Sequence, residues 1–205
     1  MSDHIVRDLA SLEALYGEVG EASSRKEIGY LHPHYAAMIK ASPFAVLATV
    51  GPDGLDASPR GDPPGFIEVA DERTLLIADR RGNNRIDSLR NVIADPRVAL
   101  LFLVPGIGET LRVNGRAEIS IDPALLDRFT LKGKAPHSML IVHVESVFFQ
   151  CSRAIIRSEL WNADRHLPRA ALPSTGEMLA AVTDNRIDAK TYDRELPPRL
   201  KATLY

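Results

Sequence analysis

The chain is 205 residues long, 45% hydrophobic and 25% charged, with a formal net charge of −2, which is enough apolar material for a core that needs no disulfide or metal staple. That balance argues against nucleic acid as the main partner, and the single cysteine, Cys151, excludes an internal disulfide or a cysteine-rich zinc site and suits a reducing compartment. No run approaches the ~20 apolar residues of a membrane span and the N-terminus carries no signal-like apolar segment, so no membrane association and a cytoplasmic location are expected.

Residues 1–40 read as helical and peripheral. Ile5, Leu9, Leu12 and Tyr16 form an apolar stripe that Gly17 and Gly20 stop. A polar stretch from Glu21 to Glu27 follows, and a second helix is expected from about His34 to Ala41. His32 and His34 flank Pro33 with no third ligand nearby, which favours a turn leading into that helix over a metal site. From Phe44 the pattern becomes strand-like: Phe44–Val50, the turn Gly51-Pro52-Asp53-Gly54 and a returning strand Leu55–Ser58 make a β-hairpin. The run Ser58-Pro59-Arg60-Gly61-Asp62-Pro63-Pro64-Gly65 is expected to be irregular. Phe66–Ala70 and Thr74–Ala78 form a second strand pair about Asp71-Glu72-Arg73. The latter run is short, apolar and partly β-branched, as a buried strand should be.

Arg80-Arg81-Gly82-Asn83-Asn84-Arg85 stands between that strand and a helix in which Ile86, Leu89 and Ile93 fall at helical spacing. Asn83 or Asn84 is available as its N-cap, and Asp95-Pro96 ends it. Arg97–Val104 is a strongly apolar strand. Residues 105–109 turn the chain into a long strand, Thr110–Ile121, where Gly115 predicts a bend or bulge of the kind that curls a sheet into a barrel. Asp122-Pro123 opens a short helix to Leu131, residues 132–136 are loop, and Ser138–Phe149 is the last long strand. Beyond Cys151, helices are expected over Ala154–Trp161 and Thr175–Val182, separated by a proline-bearing loop from Leu167 to Ser174. Asp188–Tyr205 reads as an amphipathic tail that covers the barrel or a partner subunit. Six or seven strands with short turns and flanking helices predict a mainly β (α+β), antiparallel barrel.

Several catalytic motifs are missing: no Walker-type glycine–lysine loop, no Gly-x-Gly-x-x-Gly after a strand and no Gly-x-Ser-x-Gly elbow. His137 and His143 stand apart and read as partners of a backbone carbonyl or a turn. What remains is basic and polar chemistry at strand ends: Arg60, the Arg80/Arg81/Arg85 junction, Arg112 with Thr110 and Asn114 on one strand face, and Arg153 and Arg157 after the last strand. Arg112 and Arg116 read as surface cations paired with acids. The junction is the stronger signal, because free backbone N–H groups, the positive helix end and guanidinium forks converge there as an anion cradle. A cation such as Arg85 opposes the helix dipole by ~0.3–1 kcal/mol unless a bound anion reverses the sign. A phosphate is therefore expected at this junction.

The marks that follow occur in a fixed order: Phe44-Ala45-Val46-Leu47-Ala48-Thr49 with its Gly-Pro-Asp-Gly turn, then Ser58-Pro59-Arg60-Gly61-Asp62. Leu76-Ile77-Ala78-Asp79-Arg80 leads to Gly82-Asn83-Asn84-Arg85, and Ile107-Gly108-Glu109-Thr110-Leu111-Arg112-Val113-Asn114-Gly115-Arg116-Ala117 comes later. In this order and spacing, from about Pro43 to Trp161, the chain resembles the pyridoxamine 5′-phosphate oxidase-like flavoproteins, which share an FMN-binding split β-barrel. Cys151-Ser152-Arg153-Ala154 and Arg157-Ser158-Glu159-Leu160-Trp161 are similar to the end of the barrel in a bacterial branch of FMN-dependent proteins.

The resemblance implies roles. Arg60 matches a basic residue that reaches the flavin phosphate or ring, with Ser58 and Pro59 on the same flavin-facing strand end. Ile77, Ala78 and Asp79 match the strand whose backbone runs beside the isoalloxazine, and Asn84 and Arg85 match the phosphate-binding pair. Thr110 matches a position that contacts the flavin from the second subunit, and Arg157, Ser158 and Trp161 fall where the family contributes groups after the last strand. A homodimer with two flavin sites at its interface is implied. The vitamin-pathway oxidase's C-terminal arginine–histidine substrate motif has no counterpart in this chain, so pyridoxal phosphate synthesis is not expected.

The sequence thus predicts an N-terminal helical extension (1–42), an FMN-binding split-barrel domain (43–161) and a C-terminal helical extension (162–205). Its expected function is FMN-dependent oxidoreduction of an unidentified small molecule or electron donor, with no residue assigned as catalytic acid or base. The alternatives are a non-catalytic flavin or haem carrier or sensor, and a deazaflavin-dependent reductase of the same fold.

Overall fold

The computed structural model describes residues 4–204. Residues 1–3 and Tyr205, which the expected terminal extensions include, lie outside the described residues. The N-terminal segment holds α1 (Leu9–Glu13), α2 (Glu21–Arg25) and α3 (Pro33–Ala41). Only α3 reaches the core, through Ala36 and Ile39. Ile5, Leu9, Leu12 and Tyr16 all stay exposed, and α1 buries no residue. His32 makes the turn into α3: its Nδ1 accepts the His34 amide at 3.3 Å, and Pro33 takes the first helical position.

The next elements are β1 (Phe44–Gly51), β2 (Gly54–Gly61), β3 (Ile67–Asp71), β4 (Thr74–Asp79), α4 (Asp87–Ala94), β5 (Arg97–Leu103), β6 (Thr110–Ser120), α5 (Pro123–Arg128) and β7 (Ser138–Gln150). The seven strands form one antiparallel sheet in the order β2-β1-β5-β6-β7-β4-β3. The fold is therefore mainly β, an unclosed barrel with flanking helices.

Burial follows the pleat. Ala45, Leu47, Leu100, Phe102, Leu111, Val113, Val142 and Val147 face one core, closed by Leu31, Ile39 of α3 and Val92 of α4. β4 is apolar on consecutive positions because both of its faces are covered. Leu75 and Ile77 join the main core, while Leu76 and Ala78 pack with Met139 against Leu125, Leu126 and Phe129 at α5. Gly115 marks the expected bulge: the β6–β7 register shifts between Asn114 and Gly115, and a Cβ at Gly115 would drive into the His143 carbonyl oxygen.

Two expectations need correction. The run after Ser58 is not irregular throughout, since β2 continues through Pro59 and Arg60 to Gly61, with Pro59 opposite Val46. A proline is tolerated there because β2 is an edge strand. The helix after the arginine run is not capped by Asn83 or Asn84. α4 begins at Asp87, and its N-cap position is Ile86, which is left-handed at φ 51° and offers no side-chain cap. Its buried face is Ser88 and Val92, with Ile86 and Ile93 exposed. The anchor that sets this rotation is polar: Asn91 Nδ2 donates to Thr49 Oγ1 at 3.0 Å and lies against Gly51, where any Cβ would strike it.

After β7 come α6 (Arg153–Ser158), two short 3-10 turns, α7 (Thr175–Val182) and α8 (Ala189–Thr203). Ser174 and Glu177 form a capping box on α7, and the Gly176 amide donates to Asp193 Oδ1 at 2.7 Å, fastening α7 against α8. No helix of the described residues is long and apolar enough to cross a membrane.

Candidate functional site

The sheet coils until β2, at one edge, faces β4 and the loop leading to α4. Between them lies a cleft of about 530 Å³, inside the ~300–1,000 Å³ span of small-molecule and cofactor sites. One wall is the face of β2 that alternates Asp56, Ser58 and Arg60; the other is Ala78 and Asp79 at the end of β4, with residues 80–89 as the floor and His137 and Ser138 beside it.

Most of the charges in the cleft are already partnered. Arg60 donates through Nη1 to Ser58 Oγ at 2.6 Å and to the Pro59 carbonyl at 3.0 Å. Burial pushes its guanidinium below the usual arginine value, against the opposing pull of Asp79 and Asp56. Arg80 donates to Asp62 Oδ2 at 3.0 Å and to the Phe129 carbonyl at 2.8 Å, so it braces β4 against the loop after α5. Arg85 is exposed and pairs with Asp87 at 2.7 Å; that hydrogen bond and charge raise its affinity for protons. Asp79 is pushed up by burial, against Arg60 and His137, which favour its ionised form. Ser88, buried, donates to Asp56 Oδ2 at 3.0 Å and ties α4 to β2 across the floor.

The floor itself is strained and uncapped. Asn84 (φ 61°) and Ile86 (φ 51°) are both left-handed, at a cost of ~1–2 kcal/mol each, and a β-branched residue in that region is a genuine outlier. The first amides of α4 have no intrahelical acceptors and no side-chain cap.

Ser58, Arg60, Ala78, Asp79, Asn84 and Arg85 therefore line one cleft. Ile77 does not, because its side chain is buried in the main core. Thr110, Arg157, Ser158 and Trp161 also lie outside it. Thr110 opens β6 opposite Gln150, Ser158 Oγ donates to the Ile155 carbonyl at 3.1 Å, and Trp161 Nε1 donates to the Ile107 carbonyl at 2.8 Å. Arg116 pairs with Glu145 at 2.9 Å as expected, whereas Arg112 lies over the Phe148 ring at 5.0 Å. His143 meets a carboxylate, Glu118, rather than a carbonyl or turn. Asp56, Asp62, His137 and Ser88 are cleft residues that sequence reasoning missed. The alternation of Asp56 with Ser58 and Arg60 would have revealed the first, had the strand been carried past Ser58.

Comparison with known proteins places this geometry in a family. The family model of pyridoxamine 5′-phosphate oxidase matches residues 31–151. No curated protein matches the chain. Among solved structures, a single-residue variant of HupZ from Group A Streptococcus is 18% identical over 58% of this chain and 99% of its own, with a TM-score of 0.50. HupZ itself is 21% identical over 59% and 94%, with a TM-score of 0.49. General stress protein 26 from Bacillus anthracis is 18% identical over 55% and 88%, with a TM-score of 0.42. At 18% identity the likeness to the HupZ variant is one of fold.

Proposed function

The chain belongs to the pyridoxamine 5′-phosphate oxidase family, and from that premise we propose that it binds FMN in the β2–β4 cleft and acts as an FMN-dependent oxidoreductase on a small molecule. The observation that carries this reading is the uncapped start of α4 behind two left-handed residues, Asn84 and Ile86, on the floor of a cleft also lined by Arg60, Arg81 and Arg85. Strain of this kind concentrates at functional sites, and unserved helix amides beside arginines make a phosphate site. The donor set fits the phosphate of FMN. Asn84 and Arg85 would hold it, with Arg60 on the facing wall and Arg81, which has no hydrogen bond or ion pair among the described residues, within reach of the same cleft. The bound flavin supplies hydride or single-electron transfer. The chain's own residues fix its orientation, and Ala78 and Asp79 on one wall and Ser58 and Arg60 on the other exclude bulk water from between them.

The reading includes a homodimer. On the sheet face opposite the main core, Val46, Ala48, Ala99, Leu101, Leu103 and Phe148 are only half-buried, an apolar surface of the type that oligomers cover. Thr110, Arg157, Ser158 and Trp161, which lie outside the chain's own cleft, would then serve the partner's flavin. Residues 43–161 form the flavin-binding unit in this reading, and 1–42 and 162–205 are its extensions.

The test is direct. The purified protein is expected to be yellow with a flavin spectrum, and its released cofactor to migrate as FMN. A colourless protein that takes up no FMN on titration overturns the proposal, and a released deazaflavin replaces the cofactor. Reduction of the bound flavin by NADH or NADPH and reoxidation by an added acceptor distinguishes an enzyme from a carrier.

A further inference from the structure

Two hollows adjoin at the end of β4, and their charge differs. The cleft is lined by Asp56, Asp62, Asp79 and Asp87 as well as by arginines. The smaller hollow, of about 270 Å³, is lined by Arg80, Arg81, Lys134, Ala135, Pro136 and His137, a set with three cations and no carboxylate. It shares Arg80, Arg81 and His137 with the cleft.

The walls of this hollow are fixed by backbone hydrogen bonds. Leu131 and Lys134 exchange amide–carbonyl bonds of 3.0 Å in both directions. Between them Lys132 (φ 51°) and Gly133 (φ 76°) are both left-handed, as the tightest hairpin turns require. The His137 amide donates to the Asp79 carbonyl at 3.2 Å and pins the segment before β7 to the end of β4. Arg80 completes the frame, its charge met by Asp62 and its Nη1 taken by the Phe129 carbonyl. Arg81 makes no hydrogen bond or ion pair among the described residues, and with Lys134 it gives the hollow a single sign of charge.

A concavity lined by one sign of charge concentrates the opposite ion. Its far wall offers little to a phosphate, which is ordinarily cradled by backbone amides. The amides of Lys134 and His137 are spent on Leu131 and Asp79, and Pro136 has none. A planar guanidinium fork beside an ammonium group instead suits a carboxylate. At about 270 Å³ the hollow is smaller than the ~300–1,000 Å³ of a whole small-molecule site, so it suits the charged end of a molecule whose remainder lies in the cleft.

We propose that Arg81 and Lys134 bind a carboxylate of the substrate in this hollow, so that the protein acts on small carboxylic acids. This rests on the flavin reading for the chemistry in the cleft, though not for the contact itself. In that reading the flavin phosphate lies on Asn84 and Arg85, neither of which lines the hollow.

The experiment titrates benzoate, benzamide and phenyl phosphate into the FMN-loaded protein, wild type, R81Q and K134Q, by calorimetry. Wild type is expected to bind benzoate at least about tenfold tighter than benzamide, a difference of about 1.4 kcal/mol, and tighter than phenyl phosphate. R81Q and K134Q each lower benzoate affinity about fivefold or more and leave benzamide unaltered, while K134Q holds FMN affinity within about threefold. Equal affinities for benzoate and benzamide, or a benzoate affinity that K134Q leaves alone, overturn the proposal. Tighter binding of phenyl phosphate than of benzoate overturns it too. So does a loss of FMN affinity of about tenfold or more in K134Q, since the hollow would then serve the flavin. If the wild-type protein takes up no FMN, the flavin reading alone has failed. The same titrations on the flavin-free protein still decide the contact, with R85A added: benzoate affinity lost there and kept in K134Q overturns the proposal.

Discussion

Ser88 and Asp56 are joined by a 3.0 Å hydrogen bond that runs from the first turn of α4 to the face of β2. It is the point at which the floor of the cleft is fastened to its wall. Ser88 is buried and its partner is a carboxylate, the type of hydrogen bond whose loss costs ~1.5–3 kcal/mol. Ser88→Ala is expected to lower unfolding free energy by about that amount in urea titrations and to weaken FMN binding with it. Unchanged stability would mean that water replaces the hydroxyl without loss.

Gly115 lies where the β6 bulge brings its Cα against the His143 carbonyl, and that neighbour is backbone. Gly115→Ala must move one strand of the longest pair in the sheet, so a loss of roughly 3 kcal/mol or more is expected, at the top of the overpacking range. Gly17→Ala, in open space, is the control and should leave the melting temperature unaltered.

Arg85 is held by Asp87 at 2.7 Å, so a phosphate must compete with that carboxylate for the guanidinium. Arg85→Ala is expected to raise the FMN dissociation constant at least about tenfold, whereas Asp87→Ala frees the arginine, removes a like charge and tightens binding. Equilibrium titration of the flavin-free protein reads both. Opposite signs for the two variants are required, and equal losses would show that the pair acts only as a structural latch.

The stability of the fold should carry the mark of Asp79. Burial raises its proton affinity above that of an unfolded aspartate, whose ordinary value is 3.8, so the ionised form is the one the fold disfavours. Its contribution is most favourable below that value and is lost as pH rises through the higher folded value. Asp79→Asn is therefore expected to melt above wild type at pH 7, with the gain shrinking toward pH 4 and absent below it. Asp95 runs the other way. The Arg97 hydrogen bonds hold it at about 2, and its contribution, present above the ordinary carboxyl range, is lost as pH falls toward that value.

Leu101 sits opposite Val46 on the half-buried sheet face, with Arg112 as its other cross-strand neighbour. If the proposed dimer forms, Leu101→Glu is expected to yield a folded monomer by sedimentation equilibrium where wild type sediments as a dimer, and to lose bound FMN because Thr110 and Trp161 of a partner would be withdrawn. A monomeric wild type that retains full flavin would remove the dimer from the proposal.

The elements were legible wherever local pattern decided them. The run Leu75-Leu76-Ile77-Ala78 announced a strand covered on both faces, Gly115 its bulge and Asp122-Pro123 the start of α5. Pro59 was not legible, because a proline is excluded from a strand only if that strand has two neighbours, and strand order is a property of the whole sheet. Of the apolar residues at helical spacing along α4, Leu89 packs against the core while Ile86 and Ile93 stay exposed. Ile86 and Ile93 carry the apolar periodicity, but a left-handed turn at Ile86 and the Asn91–Thr49 bond set the helix's rotation. At the site, alternation and charge placed Arg60 and Arg85, but not the internal pairings of Ser88 with Asp56 and Arg80 with Asp62. Those depend on strands five places apart in the sheet meeting across a gap.

The proline in β2 reaches further than the cleft. An edge strand offers a row of backbone donors and acceptors to any extended chain that drifts past, and here that edge also forms one wall of the cleft. Pro59 deletes one donor from the row, so a foreign strand cannot zip along it in register. The same residue that a sequence reader takes as a break thus guards an unsealed sheet against self-association, and Pro59→Val should surface first as turbidity on concentration, before any change in melting.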